Sequence, residues 1–319
     1  MEEIRVFLYF NGMEYLVFDF GGTFLKYAIM NEETELIEKS KVPSPDFQTS
    51  GKEDLFAIIT PIIEHYRSRI SGIAVSMPGM LDHRNGYLRT AGALKYLAGL
   101  EFGTEMMRRY QLPVSVENDG KAAVLAEHWK GNLKDVSNCA VVIIGTGIGG
   151  GIILNDQLLT GPDFSAGEYS YLCINETVTD RFSGFWCDYG HVGLSRRLAR
   201  LTGENASDID GIEVFRRVRS GDEKAIQALR QFTDGYAVQI YNLGILLDVQ
   251  TVAIGGGISE DPLLLEYIHE SMKRFRDQLP FGPEKDSLPC PKIVECRFHN
   301  DANLIGALYH HLYGDWIRK

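Results

Sequence analysis

The chain has 319 residues, a length for which two domains are the first expectation, and its 45% hydrophobic and 24% charged residues are typical of a globular protein. Its formal charge of −11 argues against nucleic acid and anionic membranes as partners, because an acidic surface repels their phosphates. The cysteines form no C-x-C or C-x-x-C pair, which argues against a disulfide framework and a cysteine zinc site and favours the reducing cytoplasm.

The first twelve residues, MEEIRVFLYFNG, carry acidic residues where a signal peptide needs basic ones, so we expect no signal peptide. Two alternatives stay open for this segment. It is either a disordered extension, or the result of an upstream start codon with Met13 as the real beginning. No apolar run reaches the length that spans a bilayer, so we expect no membrane partner.

The first half of the chain predicts a meander followed by alternating strands and helices. Residues 15–30 predict two strands around the turn Asp-Phe-Gly-Gly-Thr. The further expected elements are a strand at 36–43, a helix at 53–70, a strand at 72–79, a helix at 101–110, a strand at 113–119 and a helix at 121–131.

A second series begins with a strand at 140–144, the turn GTGIGGG and a strand over GIILNDQLL. Further expected elements are helices at 191–201 and 212–247, a strand at 251–256, a helix at 261–278, a strand at 293–298 and a helix at 302–313. The two strand–glycine–strand units share one local pattern, which indicates that each opens one half of a duplicated α/β fold.

The turn GTGIGGG satisfies G-x-G-x-x-G through Gly145, Gly147 and Gly150. A dinucleotide site needs a helix directly after this loop, but the next residues predict a strand. A Walker site needs Gly-Lys-Ser/Thr, which is absent from the sequence. The pattern therefore favours a β-hairpin whose turn lacks side chains.

Such a turn lets backbone N–H groups converge on an anion, and Thr146 adds a hydroxyl donor. The turn at residues 19–23 has the same design, with Asp19 for a hydrated Mg²⁺ and Lys26 nearby. Two such hairpins facing each other across a cleft would bind a nucleotide's phosphates from both domains. For either turn alone, an ordinary structural hairpin is an equal alternative. The glycines at 255–257 suit a flat purine or ribose, or else form a plain strand-to-helix turn.

Five segments, in order, resemble the ROK family of sugar kinases and sugar-responsive repressors, within the actin/hexokinase-like superfamily. The resemblance covers nearly the whole chain from about residue 14 and rests on FDFGGTFLKYA, GIAVSMPGMLD, VSVENDGKAAVLAE, GTGIGGGIILN continuing to SAGEYSYL, and IGGGIS. It implies an α/β protein of two ribonuclease H-like domains flanking a cleft. We expect the N-terminal domain at 13–118, with 303–319 packing back on it, and the C-terminal domain at 119–302.

The resemblance also implies an ATP-dependent kinase that uses Mg²⁺ and phosphorylates a hexose hydroxyl, which we expect to be O6. A homodimer is expected by analogy with the family alone. Asp119 corresponds to the catalytic base, although Asn-Asp before a helix is also a common cap pair. The residues expected to bind the sugar are Asn118, Glu168, Tyr171, Asp188 and Gly79. Those expected to bind ATP are Asp19 (on Mg²⁺ through water), Gly21, Gly22, Thr23, Lys26, Gly145, Thr146, Gly147, Gly149, Gly255, Gly256 and Gly257.

The chain departs from the family pattern at two places. Most members carry a histidine three residues after the motif glutamate, where this chain has Tyr171, and a cysteine-rich zinc loop, where residues 181–190 hold only Cys187. We therefore expect no zinc site. Tyr171 offers a hydroxyl to the sugar or simply packs as an aromatic ring. At these places the chain looks more like the zinc-less kinases of Gram-positive bacteria, which leaves a glucose-like sugar, an amino sugar and a β-glucoside open as substrates.

A sugar-responsive regulator or a sensor without turnover is the alternative function. Regulators of the family carry an additional N-terminal helix-turn-helix domain, whereas only about a dozen residues precede the first hairpin here. A sensor has no need for a catalytic base, yet Asp119 is present. The kinase is therefore the favoured reading.

Overall fold

The computed structural model describes residues 12–46, 48–175 and 184–316. The chain divides into two compact units, one comprising Met1–Asn118 with Ala307–Lys319 and the other Asp119–Gly306. Among the described residues, no helix combines the length and apolar character that crossing a membrane requires.

The first unit is built on a five-stranded sheet. Its strands are β1 (Glu14–Phe20), β2 (Phe24–Asn31), β3 (Leu36–Pro43), β4 (Ile70–Met77) and β7 (Val114–Asn118), with β5 (Leu81–Asp82) and β6 (Tyr87–Leu88) in a separate hairpin and the helices α1 (Lys52–Tyr66) and α2 (Phe102–Tyr110). The strand order is β3-β2-β1-β4-β7. The first three strands form an antiparallel meander, whereas β4 runs parallel to β1 and β7 parallel to β4.

The residue types explain which strands lie at the centre of this sheet. Strand β1 is apolar between Glu14 at its start and Asp19 near its end, and it is buried from Tyr15 onward, as expected for a strand covered on both faces. Strand β3 is almost entirely exposed and carries charges such as Lys39 and Lys41, which protect an edge strand from pairing with another chain.

The second unit repeats this plan. Its elements are α3 (Asp119–Lys130), β8 (Cys139–Ile144), β9 (Ile148–Leu154), β10 (Gln157–Leu158), α4 (His191–Thr202), α5 (Gly211–Arg219), α6 (Glu223–Leu247), β11 (Thr251–Gly255), α7 (Pro262–Asp277) and β12 (Lys292–Glu295). The last helix, α8 (Ala302–Tyr313), begins in this unit, and its residues from Ala307 onward belong to the first unit. The strand order β10-β9-β8-β11-β12 again joins an antiparallel meander to two parallel strands. The repeated order and directions confirm the expectation of a duplicated α/β fold.

The structure corrects two predicted elements. The single helix expected at 212–247 is two helices, because Gly221 adopts a left-handed φ of 83° and the Asp222 carboxylate then caps α6 by accepting from the N–H of Lys224 at 2.9 Å. The strand expected over GIILNDQLL turns back at Asn155 and Asp156, which both have positive φ as in a tight hairpin turn.

A cluster of aromatic rings lies in the core of the first unit. Phe102 is fully buried, and its ring centroid lies 5.9 Å from that of Phe56 and 5.8 Å from that of Phe20. Phe24, in the same unit, is 40% exposed and has the Lys41 ammonium 4.5 Å above its ring.

We predict that Phe102→Ala lowers the free energy of unfolding by about 3–5 kcal/mol, because it removes a buried ring and leaves a cavity. Phe24→Ala, the matched control, should lose no more than about 1 kcal/mol. Denaturant titration of the three proteins measures both losses. Equal losses in the two variants would contradict this assignment of the core.

Candidate functional site

The turn between β1 and β2 is closed by its own backbone. Gly21 N donates to Phe24 O at 3.1 Å, and the Ser44 hydroxyl donates to Gly21 O at 2.6 Å. Gly22 cannot carry a side chain without movement, because a Cβ there would lie 2.7 Å from the Cβ of Ala93. The N–H groups of Gly22 and Thr23 make no hydrogen bond to any residue that the structure describes. This turn therefore offers two adjacent backbone donors.

Asp19 lies near the end of β1 and is only 5% exposed. Its carboxylate is 3.2 Å from the ammonium of Lys26, its register partner on β2, and accepts a hydrogen bond from the Ser76 hydroxyl at 3.1 Å. Residues of the two neighbouring strands thus hold the Asp19 carboxylate beside the Lys26 ammonium. Asp19 is also only a few residues before Gly22 and Thr23, whose amides are the donors of the turn.

Gly79 and Asn118, both expected at the sugar, are in direct contact. Asn118 ends β7, and its Nδ2 donates to Gly79 O at 2.9 Å. A Cβ on Gly79 would lie 2.5 Å from the carbonyl oxygen of Thr90, so the Pro-Gly loop passes close to neighbouring backbone. Asn118 is 3% exposed, and part of its hydrogen-bonding capacity holds this loop in place.

In the second unit, the hairpin between β8 and β9 is braced at its tip. Gly145 N donates to Gly147 O at 2.9 Å, and Gly145 O accepts from both the N–H and the Nδ1 of His191 at 2.9 Å. The Ser170 hydroxyl accepts from Ile148 N at 2.8 Å. The N–H groups of Thr146 and Gly147 bond to nothing among the described residues. The hairpin is therefore a second turn with two available backbone donors.

The backbone of Gly150 on β9 contacts two other glycines. A Cβ on Gly120, in the first turn of α3, would lie 2.5 Å from both Gly150 N and Gly150 O. A Cβ on Gly167 would lie 2.9 Å from Gly150 O, and Gly167 also needs its positive φ of 84°. A Cβ on Gly150 itself would collide with Val141 O and the ring of Tyr169. All three positions exclude side chains because three backbone segments meet there.

These contacts place two predicted site carboxylates at one location. Asp119 immediately precedes Gly120 and is the first residue of α3, where its Oδ1 accepts from Gly120 N at 2.8 Å. Glu168 immediately follows Gly167, and its Oε1 lies 3.8 Å from Nζ of the buried Lys121. Burial raises the pKa of the Glu168 carboxyl, and the neighbouring Lys121 opposes that rise.

The third glycine cluster lies beside the hairpin. Strand β11 runs parallel to β8, with Gly255 as the register partner of Ile143. A Cβ on Gly256 would collide with the backbone of Ile144, directly before the hairpin turn. Gly257 has open space where a side chain would be, as has Gly149 on β9. The cluster therefore continues the side-chain-free surface of the turn.

Asp188 and Tyr171, the two other residues expected at the sugar, have surroundings that differ from those of Asp119 and Glu168. The Asp188 carboxylate accepts from Arg196 at 2.8 Å and from Arg197 at 3.4 Å, so two guanidinium groups hold it. Tyr171 is 67% exposed. Neither the arginine contacts of Asp188 nor the exposure of Tyr171 tests whether these side chains bind the sugar. Both roles therefore stay predictions.

No group of histidine, cysteine and acidic side chains suited to a metal ion occurs among the described residues. Residues 181–183 of the segment that corresponds to the family's zinc loop lie outside the described residues. Cys187 and the remaining residues of that segment are described. The absence of zinc therefore stays a prediction.

Several residues that shape these sites were missed by the sequence analysis. They are Ser76, which holds Asp19; Ser170 and His191, which brace the hairpin; and Lys121, which faces Glu168. Only Lys121 carried a usable signal, as a single charge directly before the apolar run AAVLA of α3. The others depend on contacts between distant segments.

The residues of each unit, taken separately, fit a phosphate group, and those of the first unit also fit Mg²⁺. Each glycine turn has two uncommitted amides, and each lacks the Cβ atoms that would keep a phosphate away from the backbone. Asp19 supplies a carboxylate, the ligand type that Mg²⁺ prefers when it keeps part of its water shell. Two sheets of the same strand order, each with such a turn, agree with the actin/hexokinase-like class that the resemblance implies.

Comparison with known proteins agrees with this class. The model of the ROK family matches residues 15–312. A beta-glucoside kinase of Klebsiella pneumoniae is 31% identical, covering 93% of this chain and 96% of the relative. An N-acetylmannosamine kinase of Haemophilus influenzae is 30% identical, covering 93% and 95%. The solved structure of a ROK family protein from Streptococcus pneumoniae in complex with sucrose is 28% identical and superimposes with a TM-score of 0.81, covering 94% and 98%.

The chain therefore belongs to the ROK family. It has the actin/hexokinase-like fold, and it is a carbohydrate kinase that uses ATP with Mg²⁺. The expectations of family, fold class, enzyme class and cofactor are confirmed. A sugar is its substrate class, which disfavours the alternative of a regulator without turnover.

We predict that Gly150→Ala and Gly149→Ala have different consequences although the two residues are neighbours: the first lowers stability, and the second weakens the interaction with ATP. Gly150→Ala should lower the free energy of unfolding by roughly 1–3 kcal/mol, because its Cβ has no room. Gly149→Ala should stay within about 0.5 kcal/mol, because nothing lies within 4 Å of its Cβ, yet raise the KM for ATP. Denaturant titration and steady-state kinetics test both. Equal destabilisation, or an unchanged ATP KM in Gly149→Ala, would contradict the assignment.

Proposed function

We propose that the enzyme transfers the γ-phosphate of ATP to O6 of a hexose, either a glucose-like sugar, an amino sugar or a β-glucoside. The observation that carries the proposal is the meeting of Gly120 and Gly167 on the backbone of Gly150. It supports the proposal because Asp119 precedes Gly120, Glu168 follows Gly167, and Gly150 lies on the strand that follows the turn of Thr146 and Gly147. A kinase needs this combination, because phosphoryl transfer depends mostly on positioning and charge stabilisation.

Asp119 accepts the proton of the reacting hydroxyl. The hydrogen bond from Gly120 N to Oδ1 orients the carboxylate, and the close contact with β9 fixes the helix that carries it. A carboxylate at a helix N-terminus also lies at the positive end of the helix dipole, which favours its charged form. The bond from Gly120 N is the contact of an N-terminal cap, and a residue that caps a helix can also accept a proton, so the two roles are compatible.

The sugar is held by residues from several short segments. Asn118 and the Gly79 loop that it anchors contact hydroxyls, and Glu168 accepts hydrogen bonds from further hydroxyls. Tyr171 and Asp188 complete the set. The exposed Tyr171 hydroxyl and the arginine-held Asp188 carboxylate contribute selectivity for the part of the sugar remote from the reacting group.

ATP supplies the phosphoryl group, and Mg²⁺ neutralises charge on the phosphates. On this chain, the free amides of Gly22, Thr23, Thr146 and Gly147 donate to phosphate oxygens, and Lys26 and water-bound Mg²⁺ at Asp19 add positive charge. The bare backbone at 255–257, with Gly21, Gly145 and Gly149, admits the nucleotide closely. ATP and free thiols both suit the cytoplasm, where we place the enzyme; the homodimer stays a prediction.

The relatives support two substrate classes almost equally, since one is named a beta-glucoside kinase and another an N-acetylmannosamine kinase. We predict ADP release with at least one sugar among glucose, N-acetylmannosamine, cellobiose and gentiobiose. The 6-deoxy analogue of the active sugar should bind without turnover, because it lacks O6. Coupled ADP assays and ³¹P NMR of the product measure this. Turnover of the 6-deoxy sugar would exclude O6, and ATP binding without any stimulated ADP release would overturn the kinase proposal.

We predict that Asp119→Asn lowers kcat by about 10²–10⁴-fold, because the amide cannot accept the proton. Sugar affinity, measured calorimetrically, should change much less, because the amide keeps the shape and hydrogen-bonding capacity of the carboxylate. Asp135→Asn, at an exposed position with positive φ that asparagine tolerates, is the matched control and should retain full kcat. A kcat in Asp119→Asn within threefold of the unmodified enzyme would exclude Asp119 as the base.

A further inference from the structure

Lys121 is a buried cation in a helix that is otherwise apolar around it. It is 2% exposed and lies on α3 two positions after Asp119, with Ala122, Ala123 and Val124 following. Lysine is almost never fully buried unless a negative charge compensates it, because removing an ammonium from water is costly. A hydrophobic residue would fill this position at lower cost, so the charge itself needs an explanation.

The compensating charge is a residue already assigned to the sugar. The Lys121 ammonium lies 3.8 Å from Oε1 of Glu168, whose side chain is 21% exposed and so faces both the protein interior and solvent. The pair is rigidly spaced, since Gly120 before Lys121 and Gly167 before Glu168 both rest on the backbone of Gly150. Lys121, which is buried, thus approaches Glu168 from inside the protein, while the Glu168 side chain also reaches solvent.

The ionisation of Glu168 depends on this neighbour. Burial raises the pKa of the Glu168 carboxyl, and Lys121 is the group that lowers it again. The other titratable groups on its own short helical segment and on the elements packed against that segment are Tyr169, Tyr171, Cys187, Asp188 and Tyr189. Helix α3 carries Asp119 before Lys121, and Glu127, His128 and Lys130 further along. Arg196 and Arg197 form ion pairs with Asp188. Burial raises the pKa of the Tyr169 hydroxyl far above its ordinary value, so Tyr169 adds no negative charge beside Glu168.

We propose that Lys121 is a positioning residue that keeps Glu168 negatively charged and oriented toward the sugar, and thereby sets the affinity for the sugar. This inference rests on the proposed role of Glu168 as a sugar ligand. A carboxylate accepts hydrogen bonds from two hydroxyls at once through charge-assisted bonds, whereas a protonated carboxyl has one oxygen fewer for this task. Lys121 touches neither the sugar nor ATP in this account and acts through Glu168 alone.

The kinetic test compares Lys121→Met, which keeps the length and removes the charge, with Lys121→Arg, which keeps the charge. Lys121→Met should raise the sugar KM at least tenfold at pH 7, with kcat within threefold and the ATP KM within twofold. Lys121→Arg should recover a substantial part of the loss. Lys130→Met, at a partly exposed position on the same helix, is the matched control and should leave all three constants unchanged.

The pH profile separates a charge effect from loss of packing. Removing Lys121 raises the pKa of Glu168, so more of the carboxyl is protonated at a given pH. The sugar KM of Lys121→Met should therefore increase further as the pH falls from 8 to 6, more steeply than in the unmodified enzyme. A loss of packing alone would give a raised KM that is independent of pH, and that result would overturn the inference.

A spectroscopic measurement tests the same pair without turnover. In protein carrying ¹³C-labelled glutamate, with the Glu168 signal assigned through Glu168→Gln, the pKa of Glu168 should be at least one unit higher in Lys121→Met. If the unmodified enzyme is active and Lys121→Met leaves both the Glu168 pKa and the sugar KM unchanged, this inference is overturned but the proposed function is not. An unmodified protein that phosphorylates no sugar would overturn the proposed function, even where the shift in pKa is observed. Circular dichroism checks folding, and Lys121→Gln replaces any unfolded methionine variant.

Discussion

The close packing of three backbone segments at Gly150 is the constraint on which the second unit's site depends. Helix α3 approaches strand β9 through Gly120, and the segment carrying Glu168 approaches it through Gly167. A Cβ at either position would lie too close to the backbone of Gly150, so the segments would have to move apart. The carboxylates that follow or precede these glycines are therefore placed by backbone contact, which is stiffer than contact through flexible side chains.

Charge is distributed around this packing in a consistent way. The glycine turns supply amide donors for anions, and they do so in a chain whose net charge of −11 would otherwise repel phosphate. Asp19 is held between Lys26 and Ser76, and Glu168 faces Lys121. Each of these two carboxylates thus has a cation or a hydroxyl donor beside it, which orients the side chain.

Local sequence patterns predicted the features that local chemistry decides. The apolar runs on each side of Asp-Phe-Gly-Gly-Thr and of GTGIGGG indicated hairpins, and the absence of a following helix excluded a dinucleotide loop. The break between α5 and α6 was missed because Ser-Gly-Asp interrupts a helical pattern for only one turn. The contact between Lys121 and Glu168 was not predictable, because it depends on two segments meeting on a third. The same holds for the arginines that hold Asp188 and for the serine and histidine that brace the hairpin tip.

The most direct test of the account is a crystal structure of the enzyme with its sugar and a non-hydrolysable ATP analogue. The account predicts the reacting hydroxyl within hydrogen-bonding distance of the Asp119 carboxylate, other hydroxyls on Glu168, and phosphate oxygens on the amides of Thr146 and Gly147. A sugar bound away from both carboxylates, or phosphates that contact neither glycine turn, would contradict it.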